Sequence, residues 1–116
     1  MFIQFCKSKI VHGQVTKAQL YYTGSITIDE DILEAAGLLP GEKVDVLNVN
    51  NGSRIETYCI AGPRASGQIC LNGPAARSGC IGDQLIILSY ALLEPAEAQR
   101  FKTKVVSLDE RNRIKK

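Results

Sequence analysis

The chain is short of the groups that most enzymes use for chemistry. It has a single histidine, His12, with no partner at metal-ligand spacing. One imidazole leaves little room for a serine- or cysteine-protease triad. The four cysteines, Cys6, Cys59, Cys70 and Cys80, make no C-x-x-C pair and read as small core hydrophobes. Neither G-x-x-x-x-G-K-S/T nor G-x-G-x-x-G occurs. An enzyme built from this sequence works without metal, nucleotide or triad. No apolar run approaches the ~20 residues of a membrane span. The opening, "MFIQFCKSKI", lacks the apolar stretch and cleavage site of a signal peptide, so the chain reads as cytoplasmic. Fourteen Lys and Arg against twelve Asp and Glu leave a net charge of +2, too little to argue for nucleic acid.

What is present is ordinary. The 116 residues predict one domain, 1–116, able to bury roughly 65% of its unfolded surface. "SITI" at 25–28 starts a strand. Asp29 caps a short helix, "EDILEAAG", with Ile32, Leu33, Ala36 and Leu39 on its buried side and Gly37 at its stop. "KVDVLNV" and "RIETYCIAG" are strands joined across Asn51-Gly52, a strong hairpin signal. "QICLNG" is a further strand. "QLIILSYALL" is a buried one, "EPAEAQRF" a helical turn, "TKVVSLD" a last strand and "ERNRIKK" a solvated tail. Short strands with turns every ~8–12 residues and one clear helix predict a mainly β fold, and a small closed barrel has fewer exposed edges than an open sheet.

Two stretches carry candidate chemistry. In "RIETYCI", alternation puts Arg54, Glu56 and Tyr58 on one face, with Ile55, Thr57 and Cys59 on the other. A cation therefore stands beside a phenol, unless this is only a solvated strand face. In "YYTGS", Gly24-Ser25 is either a plain turn or a bond that rearranges. A serine hydroxyl can attack the preceding carbonyl, converting amide to ester. Glycine leaves the carbonyl open and tolerates strained dihedrals. A threonine or tyrosine hydroxyl can stabilise the oxyanion. Elimination and loss of ammonia then leave a pyruvoyl group, a ketone that forms a Schiff base with an amine and draws electrons as pyridoxal does.

The company this pair keeps is specific. With "KSKI" at 7–10, "VTKAQLYYTGSITID" at 15–29, "PGEKVDVLNVNNGSRIETY" at 40–58, "LNGPAAR" at 71–77 and "IGDQLIILSYA" at 81–91, the chain resembles the pyruvoyl-dependent aspartate 1-decarboxylases over nearly its whole length. The resemblance implies a double-psi β-barrel, a tetramer with sites between subunits, and conversion of L-aspartate to β-alanine for pantothenate and coenzyme A synthesis. It implies self-cleavage into 1–24 (β chain) and 25–116 (α chain), with Ser25 becoming the pyruvoyl cofactor. Tyr58 then corresponds to the proton donor, and Thr57 to a substrate contact and the hydroxyl assisting the acyl shift. Lys9 and Arg54 correspond to cations facing aspartate, a guanidinium being suited to grip a carboxylate. Asn72 corresponds to a polar lining residue, and Gly73, Pro74 and Ala75 to the backbone holding substrate. Two departures stand out. Val11 and His12 replace the family's His-Arg pair, and Pro74 replaces alanine and so has no N–H to offer. The rival readings are a pyruvoyl enzyme for another amino acid and a non-enzymatic barrel that only binds.

Overall fold

A computed structural model covers residues 1–116 and is mainly β. Its elements are β1 (Ile3–Gln14), β2 (Lys17–Gln19), β3 (Ser25–Asp29), α1 (Glu30–Ala36), β4 (Lys43–Asn48), β5 (Arg54–Gly62), β6 (Ile69–Asn72), a 3-10 helix (Gly73–Ser78), β7 (Gln84–Leu93), α2 (Pro95–Ala98) and β8 (Lys104–Ser107). The strands from residue 25 onward and both α-helices fall where the sequence predicts them. The long first strand does not announce itself, because register shifts between Cys6 and Ser8 and between Ile10 and Gly13 break its alternation.

The strands form one mixed sheet in the order β2-β6-β3-β5-β4-β7-β1-β8. Pairing sets two opposed rows. Ile10 opposes Ile87, Ile87 opposes Val46 and Val46 opposes Ile55, and this row faces the core. One residue along, Lys9, Leu88, Asp45 and Glu56 form a row on the outer face. The sheet is rolled. A Cβ on Gly13 would lie 2.8 Å from Ile69 Cδ1 of β6 and 3.6 Å from Leu108 Cδ1, just beyond β8. Strands from the two ends of the order thus meet around one apolar cluster.

Helix α1 is capped as predicted: Asp29 Oδ1 accepts from the Asp31 N–H at 2.8 Å, and Gly37 turns left-handed at φ 72°. Ile32, Leu33 and Ala36 are buried, the two larger side chains contributing about 1.5–3 kcal/mol each. Leu39 is not among them. It is 72% exposed, and Leu38 takes the core position, because Gly37 ends the helical periodicity before it.

Three further expectations are corrected. The C-terminal tail is not simply solvated. Asn112 is buried, accepts from the Gln14 N–H, and donates to the carbonyls of Gln14 and Gly67. Strand β7 is not buried throughout, since Tyr90 and Leu92 lie on the outer face. Cys59 and Cys70 are core residues, but Cys6 is only half-buried and Cys80 is exposed in the turn before β7. No helix is long and apolar enough to cross a membrane.

Candidate active site

The site is set by where β3 begins. Its parallel pairing with β5 starts at Ile26 opposite Cys59 and runs to Asp29 opposite Gly62. Extending that register back one residue brings Ser25 beside Tyr58. Ahead of that point β5 has no partner on this side, and its open edge lines a cleft of about 490 Å³. Thr23 to Ser25 and the start of the 3-10 helix complete the wall. Thr57 and Tyr58 alternate on β5, yet both reach the cleft because it runs along the strand's edge rather than over one face.

The cleft gathers Gly24, Ser25, Thr57, Tyr58, Asn72, Pro74 and Ala75. Gly73 packs directly behind, with φ +67° and no space for a side chain. The backbone at 24 and 25 is unusual. Gly24 has φ +109°, and Ser25 has φ 155°, a value seldom adopted by residues with a side chain. Ser25 is almost wholly covered, at 1% exposure.

Antiparallel pairing of β3 with β6 places Ser25 opposite Asn72 and Thr27 opposite Cys70. These four side chains form a square on one face. Asn72 Nδ2 donates to Ser25 Oγ at 2.9 Å and to Thr27 Oγ1 at 2.8 Å. Cys70 Sγ donates to Asn72 Oδ1 at 3.1 Å. Burial pushes the Cys70 thiol up, keeping it protonated, against a smaller opposite influence from Lys17. Thr27 and Cys70 were not singled out from sequence. Their i, i+2 spacing from Ser25 and Asn72 was the available signal, but the strand register that joins the two pairs is not readable there.

The 3-10 helix is held from its far end. Asn48 Nδ2, Asn51 Nδ2 and Ser53 Oγ all donate to the Ser78 carbonyl. Asn48 also donates to Asp83 Oδ2, which, with the Cys80 N–H, holds that carboxyl below its ordinary range. The Asn51-Gly52 hairpin signal therefore marks a loop that also anchors the 3-10 turn bordering the cleft.

Lys9 and Arg54 are not in the cleft. Arg54 and Tyr58 share a face of β5, as parity predicts, but the guanidinium turns into a neighbouring groove of about 470 Å³. There it donates to Tyr90 Oη at 3.1 Å and Asp45 Oδ2 at 3.0 Å, and these partners push its pKa further up. Lys9 belongs to the same outer face through its row with Leu88 and Asp45. The cleft itself is lined by one carboxylate, Glu56, which is ion-paired to Lys43, and by no Lys or Arg. His12 lies elsewhere, at φ 64° in the irregular part of β1, with Nδ1 3.0 Å from Gln84 Nε2. Val11 is half-buried next to it.

The cleft of this mainly β chain gathers a hydroxyl, a phenol and a carboxamide, with neither imidazole nor thiol among its lining, so it holds no triad. The chain belongs to the aspartate decarboxylase family, whose model matches residues 1–115. It is 57% identical to an aspartate 1-decarboxylase of Carboxydothermus hydrogenoformans, over 100% of this chain and 91% of that protein. An aspartate 1-decarboxylase of Lactiplantibacillus plantarum is 54% identical over 100% of this chain and 89% of its own length. One from Pelotomaculum thermopropionicum is 55% identical over 98% and 86%.

Proposed function

We infer that the chain converts L-aspartate to β-alanine and CO₂, in the cytoplasm, feeding pantothenate and coenzyme A synthesis, with a pyruvoyl group made from Ser25. The observation that carries the reading is the buried Ser25 hydroxyl, following a left-handed glycine and held by Asn72, in a chain that matches the family from end to end.

Maturation uses only the chain and water. Ser25 Oγ attacks the Gly24 carbonyl; a C–O bond forms, the Gly24–Ser25 C–N bond breaks, and the nitrogen takes the proton. The Thr57 hydroxyl, in the same cleft, serves the oxyanion. Loss of the Ser25 α-hydrogen then breaks the Cβ–O bond, releasing the carboxylate of residue 24 and leaving dehydroalanine. Water replaces the nitrogen, which departs as ammonia. No oxidant is consumed.

The site suits the group. Ser25 sits on a covered floor with one amide donor aimed at its side chain, and Asn72 would hold the ketone there. When bound, that ketone supplies an electron sink for a substrate amine. Tyr58, lining the cleft, gives a proton to the substrate carbon after CO₂ leaves. Ala75 lines the wall, and Pro74 beside it has no N–H and offers only shape.

The cations must come from a second copy. Aspartate brings two carboxylates, and the cleft of one chain presents no Lys or Arg. Arg54 and Lys9 stand on the outer face of the sheet, where an adjoining protomer's cleft would meet them. A symmetric tetramer with sites between subunits satisfies both surfaces.

Intact mass measurement of freshly made protein tests the reading. Two fragments are expected, the larger lighter by one ammonia than a serine-ended 25–116 chain, together with β-alanine from aspartate. A single uncut chain after long incubation overturns it.

A further inference from the structure

We propose that Cys70 is a positioning residue for self-cleavage, its thiol fixing the Asn72 carboxamide with the NH₂ turned toward Ser25. The inference rests on the self-cleavage reading above. The square of side chains on β3 and β6 contains a choice that three of its members cannot make. Ser25 and Thr27 carry hydroxyls, and a hydroxyl either donates or accepts. Either end of the Asn72 amide therefore satisfies both. Cys70 breaks the tie. Its Sγ is 3.1 Å from Asn72 Oδ1 and Cys70 is buried, at 2% exposure. A thiol donates weakly and accepts poorly, so it selects the oxygen of the amide and turns the nitrogen toward the hydroxyls. The two hydrogens of Nδ2 then go to Ser25 Oγ at 2.9 Å and Thr27 Oγ1 at 2.8 Å.

That orientation matters because the reaction changes what Oγ can do. In the starting chain Oγ is both donor and acceptor. In the ester it has no hydrogen and only accepts. A carboxamide with NH₂ inward keeps its hydrogen bond through the acyl shift. One with its oxygen inward would face the ester oxygen lone pair to lone pair. The selected orientation keeps its bond as Oγ gives up its proton in the transition state, whereas the opposite one would lose its bond there, so the barrier is lower than with the oxygen inward. Cys70 never touches Gly24 or Ser25 in this account, and acts only through Asn72.

Pulse-labelled synthesis of the full chain, with uncut and cut forms followed in time, tests the proposal. Cys70→Ala removes the donor, and its cleavage is expected to slow by about 10-fold, the effect of one ordinary hydrogen bond. Cys70→Ser carries a hydroxyl that can donate to Asn72 Oδ1 but can also accept, so it is expected to recover part of the loss, cutting faster than Cys70→Ala and slower than the parent. Melting temperatures of the three chains, each carrying Ser25→Ala so that all stay uncut, report packing separately. Slow cutting of Cys70→Ala with rescue by serine, and no matching order of melting temperatures, supports the positioning role. Cleavage of Cys70→Ala at the parent rate overturns it. So does equal slowing of both variants in step with lost stability, since packing alone then accounts for Cys70. A parent chain that never cuts defeats the functional reading itself and is told apart from these outcomes by that control.

Discussion

Gly73 lies so close to Gly24 that a Cβ on it would fall 2.8 Å from Gly24 N and 2.9 Å from Gly24 Cα. It would also stand 2.6 Å from the Tyr22 carbonyl oxygen. All three are backbone atoms, so no side chain can swing aside. The turn that opens the 3-10 helix therefore braces the strained bond from behind. Gly73→Ala should slow cleavage at Gly24-Ser25 by more than about 10-fold and lower the melting temperature by roughly 5 °C or more. Gly52→Ala is the control. Gly52 has a similar φ, +77°, with nothing within 4 Å of the added atom, so it should lose a little stability and cut normally. Normal cutting by Gly73→Ala would show that the contact does not hold the bond in place.

On the proposed reading, making the cofactor and using it are tasks of two adjacent residues of β5, Thr57 and Tyr58. If Tyr58 gives its proton only after CO₂ leaves, Tyr58→Phe should cut as the parent does and still be trapped with aspartate by borohydride. Turnover should fall by about 10²–10⁴-fold. Thr57→Val should instead slow cutting, by about 10²–10³-fold for a principal oxyanion donor. Gel analysis of processing beside β-alanine assays reads both. A Tyr58→Phe chain that fails to cut while Thr57→Val cuts freely would reverse the assignment.

Ser89 is 1% exposed and its hydroxyl has no hydrogen-bond partner. Ser89→Ala removes an unsatisfied buried group at almost no cost in volume. It should raise stability by about 1 kcal/mol, read as a higher urea midpoint at an unchanged slope. A midpoint lowered by the same amount would mean the hydroxyl is bonded after all.

Asp83 gives the fold an acid-sensitive joint. Asn48 Nδ2, then the Cys80 N–H, hold its carboxyl below the ordinary range. A depressed carboxyl stabilises in full above its unfolded pKa, near ~4, and the contribution disappears as pH falls through the lower folded value. Asp83→Asn should therefore be less stable than the parent at neutral pH and lose less of its stability below about pH 4. Parallel stability curves for the two chains from neutral to acid pH would refute this.

Most of the strands were legible because alternation, Asn51-Gly52 and the Asp29 and Gly37 caps are local signals that the tertiary structure kept. β1 was hidden by its two register shifts, and the buried role of Asn112 by a partner nearly a hundred residues away. The site divided along the same line. Arg54 and Tyr58 share a face by parity, which sequence shows. That the guanidinium turns to Tyr90 and Asp45 depends on β4 and β7 lying beside it, and strand order leaves no mark on a sequence. Cys70 read as a core hydrophobe, which its burial supports. Its hydrogen bond to Asn72 needed the register of β3 on β6.

The place of the Gly24–Ser25 bond in the weave has one more consequence. It falls between β2, which ends at Gln19, and β3, which begins at Ser25. A break there severs no ladder. The shorter piece keeps β1, laced between β7 and β8, and β2 alongside β6. Covalent continuity at this point is dispensable to the architecture. Pieces 1–24 and 25–116, once parted at this bond, would form a fragment complex that interlocks like one chain, and separating them would require unravelling the sheet rather than undocking a surface.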